Sequence, residues 1–223
     1  MTFDLHTLIA NGVAFGMAPT DFLTRSAATQ RGRLLVAASL VVAERGYAKA
    51  SVRDIVTAAG VSRTTFYDNF DGKEDCLIAA YQATVTTSLS RMAEAATAAA
   101  TDGWRAGLLA GVRLIFSDIR ERPMIARATY IELVSAGPRV LACRREGNDR
   151  FAEHVAALAT AVRQVDPRMP EVSLGRIQLL ISGLDLRIAY ALNEGGSDQL
   201  DEVEALAIES IDAMYSPALA AAR

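Results

Sequence analysis

Cysteine is scarce. Only Cys76 and Cys143 occur in 223 residues, far apart and without ligand-like neighbours. That excludes a disulfide framework and a cysteine-built zinc site, and leaves two unpaired thiols of a reducing compartment as the expectation. Histidine is as rare: His6 lies near the start and His154 is expected at the surface. With no HxxxH, CxxC or clustered acidic spacing, no metal is expected. Nucleophile–base pairs, glycine-rich phosphate loops and paired-carboxylate motifs are also missing, so an enzyme is not expected and no cofactor is implied. Long apolar runs are absent too. Leu8 to Met17 is moderately apolar, but no Lys or Arg precedes it and Asn11 interrupts it. It makes a poor signal peptide and is too short to span a bilayer. The expectation is a soluble cytoplasmic protein with no membrane partner.

Positive charge is not in excess either. The net charge is −3, which argues against a generally sticky nucleic-acid binder. Its distribution is more informative. Residues 1–73 carry eight Lys/Arg against six Asp/Glu, and residues 74–223 carry fifteen against twenty. Between Arg25 and Lys73 the balance is eight against four, a compact basic segment fused to an acidic body.

What is abundant is alanine and leucine, within a hydrophobic fraction of 51%. With little β-branched alternation, this predicts an all-α chain. Leu34, Leu35, Ala38, Val41 and Val42 give one apolar face to a helix from about Gln30 to Arg45, ended by Gly46. Ser51 opens a second helix, with Asp54 placed as in a capping box and Val52, Ile55, Val56 and Ala59 on its inner face. Gly60 stops it, and Ser62 caps a third short helix with Phe66 and Phe70 one turn apart. Three helices in about forty residues, the last two joined by a glycine turn, form a helix-turn-helix layout. A long fourth helix follows, with Glu74 and Asp75 in its first turn. Further helices are predicted at about 104–121, 124–135, 139–164, 173–194 and 200–215 from breaks at Gly and Pro. The expected organisation is a flexible arm at 1–24, a three-helix DNA-binding head at 25–72 and a six-helix body at 73–223.

The third helix keeps Phe66 and Phe70 inside, with Val61 beneath them in the turn. Arg63, Thr64, Thr65, Tyr67, Asp68 and Asn69 are left on its outer side or flanks. Such a helix suits the major groove, where Arg takes guanine O6 and N7 and Thr offers a methyl and a hydroxyl. Tyr and Asn commonly hold backbone oxygens. Lys73, beside exposed N–H groups, is a natural phosphate contact.

The segment TQRGRLLVAASLVVAERGYAKASVRDIVTAAGVSRTTFYDNFDGKEDCL resembles the DNA-binding head of the tetracycline-repressor (TetR) family. The resemblance is carried by Gly46-Tyr47, Ser51 to Ile55, Ala59 to Ser62, Thr65 to Phe70 and Lys73-Glu74. It implies that Arg63 and Thr64 read base edges. It places Thr65, Tyr67, Asn69 and Lys73 at phosphates or beside the bases, Ser51 at the DNA backbone, and Ser62 at the cap of the reading helix. Arg53 is at the groove edge, unless it pairs with Asp54 or Glu44. Arg25, Arg31 and Arg33 follow the backbone or enter the minor groove. Two positions depart from many relatives: Thr64 stands where glycine is common and Asn69 where histidine is common.

One short head makes few contacts, so two heads about 34 Å apart on a palindromic double-stranded operator are expected. The resemblance implies a homodimer through the last two long helices. Ile177, Ile181, Leu184, Ile188, Leu206, Ile211 and Met214 are the expected interface, the alternative being that these faces are only intrachain core. It also implies a ligand-binding body, with Trp104, Phe116 and Tyr130 as apolar lining and Arg127 and Asp185 as polar contacts. The reading is a dimeric repressor released by a small-molecule effector. The alternative is a TetR-like DNA-binding protein without an effector, acting through a protein partner.

Overall fold

The computed structural model describes residues 29–99, 102–194 and 197–216. The expected N-terminal arm, with Arg25 and His6, lies outside the described residues. Every regular element among the described residues is helical. In chain order these are α1 (Gln30–Arg45), α2 (Val52–Ala59), α3 (Arg63–Tyr67), α4 (Lys73–Ala99), α5 (Trp104–Glu121), α6 (Pro123–Tyr130), a 3-10 turn (Glu132–Ser135), α7 (Pro138–Val165), α8 (Leu174–Glu194) and α9 (Ser197–Met214). The all-α expectation holds, and the starts and stops follow local chemistry.

Thr29 caps α1, its side chain accepting the Gly32 N–H. Gly46 ends α1 with φ 77° and ψ 152°, a backbone region that essentially only glycine occupies. Ser51 and Asp54 form the reciprocal capping box at the start of α2. Gly60 closes α2 in the left-handed conformation, φ 62° and ψ 40°, and so makes the turn into α3.

One element differs from its sequence prediction. The helix expected at 124–135 stops at Tyr130 and continues as the 3-10 turn. The buried Arg144 side chain explains the stop, donating from Nη1 to the carbonyls of Thr129 (3.0 Å) and Tyr130 (3.1 Å). Those carbonyls are among the orphan acceptors of a helix end, and a cation there also meets the negative end of the helix dipole.

The chain divides into two compact units. The first takes residues up to Thr87 together with Ile119–Arg144. Its interior holds most of α1 and, on α2, α3 and α4, the buried Ile55, Phe66, Cys76 and Leu77. Helix α1 packs against α2 and against α6. The second unit takes Ser88–Asp118 and the residues from Arg145 onward. There α8 packs on α9, and Leu109, Met169, Ile211 and Tyr215 form a buried cluster flanked by Trp104, Val162 and Leu180. Cys76 and Cys143 are both buried free thiols.

Candidate nucleic-acid interface

Helix α3 is only five residues long, so neighbours must hold it in place. Phe66 is fully buried and Phe70 is 4% exposed, their ring centroids 5.7 Å apart. Removing Phe66 to alanine would cost about 3–5 kcal/mol, enough to unmake so small an element. The Ser62 hydroxyl accepts the Thr65 N–H at 3.0 Å and lies 2.9 Å from the Thr65 hydroxyl. At the other end, the Asn69 amide donates to the Thr65 carbonyl at 2.8 Å.

These anchors leave a polar outer surface. Ser62, Arg63, Thr64, Tyr67, Asp68 and Asn69 are exposed, and Thr65 is half-buried. The Arg63 guanidinium sits over the Tyr67 ring, 5.8 Å from its centroid, with Nη2 3.4 Å from the phenol oxygen. Arg31 lies over the Phe70 ring at 5.1 Å and is itself exposed. A rigid, short helix presenting one cation and several hydrogen-bonding groups can enter a major groove and read base edges.

Several predicted contacts also have local roles. The Ser51 hydroxyl donates to Asp54 Oδ2 at 2.6 Å and accepts the Asp54 N–H, so it is a cap first. That hydroxyl, with the Ser51 N–H and Arg45, holds the Asp54 carboxyl below the usual carboxylate range. Asp54 pairs with Arg45 at 2.7 Å, which leaves Arg53 exposed. Arg33, expected along the DNA backbone, donates instead from Nε to the Ala59 carbonyl at the end of α2. Lys73 is the clearest correction. Its ammonium is turned inward, 2.8 Å from the Tyr47 carbonyl, 2.9 Å from the Ala50 carbonyl and 4.3 Å from the Tyr47 ring centroid. As placed, Lys73 props up the 47–50 loop rather than reaching out as a free cation.

A sequence model of the family described as bacterial regulatory proteins, tetR family, matches residues 34–80. Residues 34–80 therefore carry the sequence pattern of that family. Proteins of that family are transcription regulators and not enzymes. The HTH-type transcriptional activator FasR of Mycolicibacterium smegmatis is 38% identical over 66 residues, 30% of this chain and 30% of that relative. The chain thus spans under a third of the curated relative it matches. Among solved structures, the fatty acid degradation regulator FadR from Bacillus halodurans matches with TM-score 0.67 at 21% identity, over 80% of this chain and 94% of that one. FadR from Bacillus subtilis, solved in complex with stearoyl-CoA, matches with TM-score 0.65 at 22% identity, over 82% and 97%. These two likenesses bear on the fold.

The predicted ligand contacts divide between the two units. Trp104, Phe116 and Asp185 belong to the second, Arg127 and Tyr130 to the first. Trp104 packs on Tyr215 at 5.5 Å, Phe116 is 2% exposed, and Asp185 accepts from the Asn148 amide. Tyr130 lies under Arg144. Arg127 is a structural tie rather than a pocket cation, its Nε donating to the Ala43 carbonyl and its Nη2 to Glu132. Among the described residues, two buried polar atoms lack a hydrogen-bond partner, the Tyr215 hydroxyl and His154 Nε2. His154, expected at the surface, is half-buried.

The seven residues of the predicted dimer face differ in exposure. Ile177, Ile188 and Ile211 are 2%, 4% and 8% exposed, already covered by their own chain. Ile181, Leu184 and Met214 are half-buried. Of the seven, only Leu206 is exposed. The apolar surface of α8 lies on its other side, where Leu179, Leu186 and Tyr190 are exposed and a side chain at Gly183 would meet nothing within 4 Å. Their 4-3-4 spacing puts all four on one stripe of the helix. The signal is present in the sequence, but α8 carries two apolar faces and the more aliphatic one turned inward.

Among the described residues, no three His, Cys, Asp or Glu side chains are grouped to hold a metal, and no helix is long and apolar enough to cross a membrane.

Proposed function

We propose that this chain is a dimeric regulator of the tetR family that binds a palindromic operator through α3 and is released by a small-molecule effector. The observation that carries the reading is the outer surface of α3. Arg63, Thr64, Tyr67 and Asn69 stand exposed on a helix fixed from beneath by Phe66 and Phe70. Arg63 and Thr64 read bases, Thr65, Tyr67 and Asn69 grip the backbone, and Arg31 and Arg53 flank them. The head is residues 25–72 and the regulatory body 73–223. Two copies pair through Leu179, Gly183, Leu186 and Tyr190 of α8 with Leu206 of α9, exposed positions on two helices that pack together.

The effector belongs in the second unit, with Trp104, Phe116 and Asp185 as lining. The stearoyl-CoA bound by Bacillus subtilis FadR supports a long-chain acyl thioester as the first probe. Repression by occluding a promoter is the expected sign. FasR carries the name of an activator, which favours activation as the second reading, since the same head serves either sign according to operator position. The test is selection of bound DNA from a random pool, followed by titration of the selected duplex with stearoyl-CoA. Enrichment of a two-fold symmetric site, weakened by the thioester, is the expected result. Enrichment of no site overturns the DNA reading, and a site that no acyl thioester weakens overturns the effector class. A reporter driven from that site gives the sign.

A further inference from the structure

The turn that ends α1 is held from two sides through one residue. The Tyr47 N–H donates to Glu132 Oε2 at 3.2 Å, while the Tyr47 carbonyl accepts from Lys73 Nζ. Glu132 is a buried carboxylate, 9% exposed, at the start of the 3-10 turn after α6. Its other oxygen accepts from Arg127 Nη2 at 3.2 Å, and Arg127 Nε reaches the Ala43 carbonyl, also at 3.2 Å. Ala43 is in the last turn of α1, where carbonyls lack helical partners. The Arg127–Glu132 pair therefore grips both sides of the bend, an acceptor at Ala43 and a donor at Tyr47. All of these residues lie within the first unit.

A buried carboxylate is costly unless it is paired and hydrogen-bonded, and this one has both kinds of partner. A plain core position would be filled more cheaply by an apolar side chain. What the charges add is direction: they fix the bend of residues 43–47, and that bend leads within four residues to Ser51, the cap of α2. Helices α2 and α3 take their pose from it.

We propose that Glu132 and Arg127 are positioning residues for DNA recognition, a latch by which the α6 segment sets the pose of the helix-turn-helix. The proposal rests on the DNA-binding reading above. The experiment compares wild type with Glu132→Ala, Arg127→Ala, the double variant and the isosteric Glu132→Gln. The readouts are affinity for the selected duplex across a salt series and amide hydrogen exchange by segment. Loss of the latch is expected to lower affinity about tenfold, within the usual range for coupling between sites. The salt slope should stay at its wild-type value, because no phosphate contact is lost. Exchange should accelerate at residues 44–50 and not beyond Arg145. The double variant should be no weaker than the worse single one. Glu132→Gln, which keeps an acceptor for Tyr47 but loses the charge toward Arg127, should fall between. Wild-type affinity and protection in Glu132→Ala would overturn the latch, as would losses spread over the whole chain. If wild type bound no DNA, the functional reading would fail, and the exchange pattern alone would decide the latch.

Discussion

Replacing Leu186 by glutamate tests the pairing surface proposed on α8. Leu186 is 51% exposed, so the folded monomer has little to lose, and surface changes of this kind shift stability by about 0.5 kcal/mol or less. The dimer has much more at stake. Full burial of a leucine side chain is worth about 1.5–3 kcal/mol, so covering the exposed half yields about 1 kcal/mol per protomer. Two-fold symmetry doubles that to about 2 kcal/mol. A carboxylate left without a partner in the same place costs about 1–3 kcal/mol more in each protomer. The total, about 4–8 kcal/mol, corresponds to at least about a thousandfold weaker dimer at 1.4 kcal/mol per decade. Sedimentation velocity over a concentration series is the assay, with thermal unfolding as the control. The expected outcome is a monomer that melts close to wild type and binds a single half-site weakly. A Leu186→Glu protein that dimerised with wild-type affinity would refute the placement of the interface on this stripe.

Other perturbations probe the head. Gly46→Ala forces a side chain into backbone that is essentially glycine-only, and thermal unfolding should show a loss of about 1–3 kcal/mol. Lys73→Met removes two charge-assisted bonds to the 47–50 loop and should destabilise the head by about 2–3 kcal/mol, seen in chemical denaturation. Because that ammonium is turned inward, the salt slope of DNA binding should stay unchanged, whereas a phosphate contact would flatten it by about one unit. Burial pushes the Cys76 thiol up to about 12. A raised folded pKa gives stability that is whole below the unfolded thiol value of about 8.5 and is lost as pH rises through the folded value. Native protein at pH 8 should therefore leave Cys76 unreacted with an aromatic disulfide until denaturant is added. Rapid native labelling of Cys76 would contradict its burial.

How legible each part was depended on how local its cause is. Caps and glycine turns act over a few residues, so Ser51, Gly60 and Ser62 marked the helix-turn-helix before any coordinates. Phe66 and Phe70 could be assigned inward from one helical turn of spacing. The end of α6 could not be read, because its cause is Arg144, fourteen residues along the chain from the Tyr130 carbonyl that it binds. Lys73 misled for a similar reason. A cation beside exposed N–H groups reads as a phosphate contact until the carbonyls of Tyr47 and Ala50 arrive from another element. Arg127 reads as a polar group of a pocket, since only tertiary structure brings the Ala43 carbonyl to it. On α8, periodicity marked the stripe through Ile177, Ile181, Leu184 and Ile188 and passed over the one through Leu179, Leu186 and Tyr190, because spacing alone does not say which face the chain covers itself.

The most direct measurement of the central claim, that the outer surface of α3 reads DNA, is a paired selection with wild type and Arg63→Ala. Wild type is expected to enrich a two-fold symmetric site. Arg63→Ala should lose discrimination at one or two symmetric positions, by about 1–3 kcal/mol each, while the rest of the site is retained. Identical sites and affinities for the two proteins would contradict the claim.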